Sequence, residues 1–220
     1  MGMHFGILAA ACPWPKLLAA LQQHAGDFRE LGSSEVEGWE IEAGEHNGRS
    51  YVVDSSYLLS GGAPDLIVSL SKSIPGTVVG CYAETVSGSF ALVVAESGDL
   101  HRLYHACHST LYEPLSIGEP FPTESTADLE DIDGGGLFAV LRHFGFDYDA
   151  FYESGARQKY DFNERSDLES GELQKAITDH AAKHTIPKEQ RPQPRVVART
   201  VGASASSGGL GRWLRRLFGG

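Results

Sequence analysis

The sequence predicts an α+β protein, a mixed or antiparallel sheet packed with helices, followed by a flexible C-terminal tail. Three observations carry this expectation. Short β-branched or alternating apolar runs recur along the chain and are joined by tight-turn residues, above all Asn47-Gly48 and Glu96-Ser97-Gly98-Asp99. Between them lie segments whose apolar residues repeat at helical spacing, such as Leu17, Leu18 and Leu21, or Leu66, Ile67 and Leu70. Beyond Pro187 the texture changes to proline alternating with polar residues, then to glycine, alanine and serine, a composition with little to bury.

Taken in order, Met3 to Ala10 reads as a buried strand. Pro13 to Ala25 reads as a helix: Pro15 fits its first turn, where no N–H is needed, and Gly26 is a suitable stop. Glu37 to Ala43, around Trp39 and Ile41, alternates like a half-buried strand, and Ser50 to Asp54 returns from the Asn47-Gly48 turn. A second helix spans Pro64 to Ser73. Thr77 to Tyr82 is β-branched and reads as a central strand, and Ser89–Ala95 with Leu100–His105 forms a hairpin. Residues 114–125, with Pro114, Pro120 and Pro122, read as an irregular covering loop. Leu137 to Phe144 and Tyr148 to Ser154 are short helices. Leu168 to His184 is a longer one, with acidic residues early and Lys183 and His184 late, as the helix dipole favours.

Charge divides the chain further. The formal net charge of -11 opposes bulk attraction to nucleic acid, and it is unevenly spread. Residues 1–185 hold a formal -17, and residues 186–220 a formal +6. The expected organisation is therefore an acidic α+β domain over 1–185, a Pro/Ala/Ser/Gly-rich linker over 186–209 and a basic aromatic tip over 210–220. Cys12, Cys81 and Cys107 form no closely spaced pairs, which favours a reducing compartment. With no basic region before the first apolar run and no stretch of 18 apolar residues, a cytoplasmic protein is expected.

Candidate chemistry is sparse. His101, His105 and His108, with Cys107 among them, are the densest ligand-like group. On a helix these spacings would serve a zinc ion, but on a hairpin strand His101 and His105 would share a face about 13 Å apart, too far for one metal. No metal and no cofactor is expected. Cys107 beside His105 and His108 would act as thiolate and base only where a loop brings them together. Glu84 and Ser87 lie in Glu84-Thr85-Val86-Ser87-Gly88-Ser89, which reads as a hairpin turn before it reads as a site. Asp128, Glu130, Asp131 and Asp133 lack the glycine and terminal glutamate of a calcium loop. Gly134-Gly135-Gly136 lacks the Lys-Ser or Lys-Thr of a phosphate loop.

The tip is the segment whose composition asks for a partner. On a helix, Trp213 and Leu217 pair at i,i+4 beside Leu214 and Phe218, with Arg212, Arg215 and Arg216 on the remaining surface. Such a segment suits docking to another protein or to its own globular domain, and permits weak contact with an anionic membrane.

The stretch from Arg49 to Pro122 resembles uncharacterised bacterial α+β proteins of the polymorphic-toxin immunity type. The likeness rests on Tyr51-Val52-Val53-Asp54, Pro64-Asp65-Leu66, Glu84-Thr85-Val86-Ser87-Gly88-Ser89 and Gly118-Glu119-Pro120-Phe121-Pro122. The resemblance implies a bacterial cytoplasmic protein that works by binding another protein. It transfers no catalytic residues. The expected function is thus a non-enzymatic protein-binding module. Two alternatives stand beside it: a hydrolase near the central hairpin using Glu84, His101, His105 or Cys107, and a membrane-associated accessory protein acting through the tip.

Overall fold

The computed structural model describes residues 4–31, 40–107, 112–125, 129–130 and 134–187, and the fold is that of a unit spanning Met1–Ile186. Among these residues the strands are β1 (His4–Ala10), β2 (Gly26–Glu30), β3 (Glu40–His46), β4 (Arg49–Val53), β5 (Thr77–Glu84), β6 (Ser89–Glu96), β7 (Asp99–Cys107), β8 (Leu115–Ile117) and β9 (Arg157–Glu164). They form one sheet in the order β2-β9-β3-β4-β1-β5-β6-β7-β8. Every pairing in it is antiparallel. The helices are α1 (Trp14–His24), α2 (Pro64–Ser73), α3 (Gly135–His143), α4 (Tyr148–Ser154) and α5 (Glu172–Lys183). The protein is α+β, with an antiparallel sheet packed against helices.

Tight turns make the pairing antiparallel. Asn47-Gly48 joins β3 to β4 with φ of 52° and 70°, and Ser97-Gly98 joins β6 to β7 with φ of 53° and 87°. Two successive positive-φ residues twist with the strands they connect. Alternation then sends side chains to two covered faces. On one, Leu8, Ala10, Val78, Val93 and Leu103 join Leu17 and Leu21 of α1 and Leu66, Ile67 and Leu70 of α2 in a single cluster. On the other, aromatic rings dominate. Phe5 stacks on Phe138 of α3 at 5.0 Å, and Tyr51 on Phe151 of α4 at 4.5 Å.

The expected helices over Pro64–Ser73 and Tyr148–Ser154 have those bounds, α1 is one residue shorter than expected at each end, and α3 runs over Gly135–His143 where Leu137–Phe144 was expected. Four other elements differ more. Gly26 does not merely stop α1; it opens β2. β9, unassigned in the sequence reading, lies between β2 and β3. Both strands are polar runs held by few apolar anchors: Phe28 lies opposite Phe162, their rings 4.7 Å apart, and Tyr160 is buried. Neither anchor is conspicuous without its partner. The expected covering loop at 114–125 contains β8, paired to β7, and a 3-10 turn over Pro122–Ser125. α5 starts four residues later than expected, because Arg165–Ser170 forms hydrogen-bonded turns first. Residues 37–39 of the strand expected over Glu37–Ala43, with Trp39, and all but the first two residues of the tail expected over 186–220 lie outside the described residues.

Two polar links tie the layers. Trp14 donates its backbone N–H to Glu45 (2.9 Å) and its indole N–H to the Tyr160 hydroxyl (2.9 Å), fixing the start of α1 to β3 and β9. On β7, Arg102 is 3% exposed and paired with Glu124, 6% exposed, at 2.8 Å. Its remaining donors reach Ser116 Oγ (2.7 Å) and the carbonyls of Leu103, Ile117 and Gly118, each at 3.3 Å. One buried guanidinium thereby clamps the 116–124 segment onto the sheet. Removing one partner of such a pair strands a buried charge. Glu124→Ala is therefore expected to lower unfolding free energy by about 3 kcal/mol, measured by urea denaturation.

Candidate functional site

The β5–β6 turn and the β6–β7 hairpin bring separated residues into rows. Register places His4 opposite Glu84, Glu84 opposite Ser89, and Ser89 opposite Cys107. One row inward, Gly6, Tyr82, Ala91 and His105 lie opposite one another in the same way. Residues two apart on a strand share a face, so both rows end the sheet on the side that carries α1 and α2.

The inner row is an aromatic line. Ala91 is small enough for Tyr82 and His105 to meet over it: Tyr82 Oη lies 3.1 Å from His105 Nε2. Tyr112 Oη lies 2.6 Å from His105 Nδ1. Burial holds the His105 imidazole far below its ordinary value, at about 4. The ring is therefore neutral at neutral pH, donating through one nitrogen and accepting through the other. Burial, with the neighbouring Tyr112, Cys107, Tyr57 and Glu84, pushes the Tyr82 phenol well up. The line extends through Tyr57, stacked on Tyr82 at 5.0 Å, and through His180 of α5, edge-on to Tyr112 at 6.1 Å.

The outer row is a chain of hydroxyls. Glu84 accepts from the Ser87 backbone N–H at 3.2 Å and from the Ser87 hydroxyl. Ser87 Oγ lies 2.8 Å from Ser89 Oγ, which lies 3.1 Å from Cys107 Sγ. The expected turn reading of this segment is what the structure shows, with Gly88 at φ 67°. The same bonds also connect a thiol to a carboxylate through two serines. His4 closes the row, its Nδ1 3.0 Å from Tyr57 Oη and 3.5 Å from Glu84.

Tyr57 itself sits at φ 70°, a left-handed conformation costly for a bulky residue, and precedes a π-helical turn over Leu58–Gly62. Asp54, 1% exposed, holds that turn by accepting from Ser56 N (2.9 Å) and Leu59 N (2.7 Å). Burial raises its carboxyl above the usual range. Burial and the charges of Glu84 and Asp54 push the Tyr57 phenol up to about 12.

Of the four alternative catalytic candidates, Glu84, His105 and Cys107 share this end of the sheet. His101 does not join them. The ladder shifts between Val94 and Ala95, so Leu100 rather than His101 lies opposite Ala95, and His101 is exposed. Simple alternation had placed His101 and His105 on one face; the bulge removes that. His105 is held by Tyr82 and Tyr112, and Cys107 meets Ser89. His108, Asp128, Asp131 and Asp133 lie outside the described residues, as do Arg212, Trp213, Arg215, Arg216, Leu217 and Phe218. Glu130 accepts a hydrogen bond from Tyr104. Cys12 and Cys81 are buried. Among the described residues no group of three His, Cys, Asp or Glu is placed to hold a metal ion.

Sequence reasoning missed Tyr57, Tyr82, Tyr112 and His180. Tyr82 and His105 both follow from strand register, and the Ala91 between them is the signal that two large side chains can meet there. Two open clefts lie elsewhere, one of about 210 Å³ lined by His24, Asp65, Ser69, Arg165 and Ser170, the other of about 530 Å³ lined by Trp14, Glu45, Arg157 and Gln158. No protein-family model, no curated protein and no solved structure matches the chain.

The neutral His105 makes stability pH-dependent. Its folded value lies below the unfolded 6.5, so the unfolded chain binds more protons between about 6.5 and 4. This contribution is complete above that window and is lost as pH falls through it, by about 3 kcal/mol. His105→Gln is expected to shrink the fall in unfolding free energy between neutral pH and pH 4 by that amount, read from urea titrations across the range.

Proposed function

We propose that this chain is a non-enzymatic protein-binding module whose acidic unit takes a cationic protein partner. The observation that carries the reading is the charge partition, a formal -17 over residues 1–185. The charge is displayed: Asp27, Glu30, Glu96, Asp99, Glu113, Glu119, Glu153 and Glu164 are all exposed. Complementary charge accelerates encounter and rejects partners of like sign. The hydrogen bonds of Glu84 and His105 also support it, because they join turns and strands as structural contacts would. A bacterial cytoplasmic setting and an immunity-like role belong to the same proposal. In it, Arg212, Trp213, Arg215, Arg216, Leu217 and Phe218 form a second contact element, for a protein or weakly for an anionic membrane.

One observation favours a second reading. The Cys107–Ser89–Ser87–Glu84 chain has the composition of a proton path from thiol to carboxylate, which would serve a hydrolase with Cys107 as nucleophile. The two readings differ in what Cys107→Ala does.

Affinity capture with the full chain is expected to return basic proteins that elute as ionic strength rises from about 0.1 M to about 0.5 M, where screening is short-ranged. Cys107→Ala is expected to leave that capture unchanged. Capture of neutral partners that resist salt would exclude the electrostatic reading, and loss of a hydrolytic activity in Cys107→Ala would establish the second. A chain ending at residue 200 measures the share of binding due to the tip.

A further inference from the structure

We propose that α5 is a detachable latch over the Tyr82–His105–Tyr112 line, opening as a unit while the sheet stays folded. The inference rests on how α5 is seated and is independent of the binding reading above. Ile177 is the one buried residue in its twelve. The helix is otherwise held at its two ends by groups from elsewhere in the chain.

At the N-terminus, Gly171 has no side chain with which to cap the helix. Asp65 of α2 does so instead, accepting from Leu173 N at 3.0 Å and Gln174 N at 3.1 Å. The approach is so close that a Cβ on Gly171 would lie 2.1 Å from the Asp65 carboxyl. At the C-terminus, His180 Nε2 lies 2.8 Å from the Glu113 carbonyl oxygen, and Thr185 bridges to Tyr112. The same first turn also carries a cost. Gln174 Oε1 is buried and has no hydrogen-bond partner, so docking deprives that oxygen of water and returns nothing. Undocking restores its hydration. One apolar anchor and two terminal links thus oppose an unpaired acceptor, and the balance lies nearer to opening than that of any central strand.

The hinge is defined as well. Arg165 is fixed to the body, its backbone N–H donating to Ala25 O at 2.8 Å and its guanidinium to Gln23 O at 3.1 Å. Leu168 packs at the margin of the core. Ser170 is tied back to the Asp167 carbonyl through its N–H (3.2 Å) and its hydroxyl (2.6 Å), so the swing falls at Gly171, where the helix begins. Opening takes the His180 ring off Tyr112, which is 7% exposed when closed, and gives solvent or a ligand access toward His105. Sub-global opening of a lightly buried helix is the physical form such a latch takes.

Hydrogen exchange of the full chain, followed by mass spectrometry, tests this. Amides of residues 172–183 are expected to exchange at least about 100-fold faster than those of β5 and β6. Asp65→Ala should accelerate α5 exchange about fivefold, the usual effect of losing a cap, with β5 and β6 unchanged. Gln174→Leu, which removes the unpaired oxygen, should slow α5 exchange. The proposal is overturned if α5 exchanges at the rate of the central strands, or if Asp65→Ala accelerates helix and strands by one common factor.

Discussion

Strand β1 lies between β4 and β5 with both of its faces covered, and its register with β5 governs where the rest of the molecule sits. From Phe5 to Ala10 its side chains go alternately to the aliphatic and the aromatic layer, with none of the six exposed. A slip of one residue would exchange the two sets, sending Phe5 and Ile7 to the α1/α2 side and Leu8 and Ala10 to the rings of α3 and α4. The same register aligns His4 with Glu84 and Gly6 with Tyr82, so the alignment that satisfies the core also composes the rows at the sheet's end.

The two faces are closed by different means. Toward α1 and α2 the packing is aliphatic and continuous. Toward α3 and α4, a few stacked rings cover the sheet, with Arg102 and Glu124 completing the closure near the β7–β8 edge. Burying that pair is tolerable because every nitrogen of the guanidinium finds an oxygen. It also explains why a segment rich in proline, unsuited to a long strand, lies in a defined place beside β7.

The aromatic line depends on small residues as much as on large ones. Ala91 leaves room for Tyr82 and His105 to meet, and Gly6 leaves room for Ser60 and the Asp54 carbonyl, which a Cβ there would meet at 2.2 and 2.3 Å. Tyr57 is held in a strained conformation by the Asp54-capped turn, and its ring completes the stack. Held neutral and bonded at both nitrogens, His105 links β5 through Tyr82 to Tyr112, and Tyr112 in turn touches α5. The least firmly seated helix is thereby coupled to the most polar part of the sheet. The proposed functional reading rests on the charge partition.

By itself, the sequence determined the elements whose cause is local. Asn47-Gly48 and Ser97-Gly98 require hairpins wherever the strands lie, and Pro64 with its apolar stripe starts a helix in any fold of this chain. The charge partition, too, is a property of order along the chain. Only the tertiary structure decided β2 and β9, whose single-residue anchors Phe28 and Phe162 acquire meaning when 134 positions of separation are closed. It decided the start of α5, because the capping carboxylate belongs to another helix. It decided the site as well, since a bulge of one residue separated His101 from His105, and strand pairing joined Glu84 to Cys107 and Tyr82 to His105. Local preference acts over a few residues, whereas a shared face or a cross-strand row exists only after the loops between its members have closed.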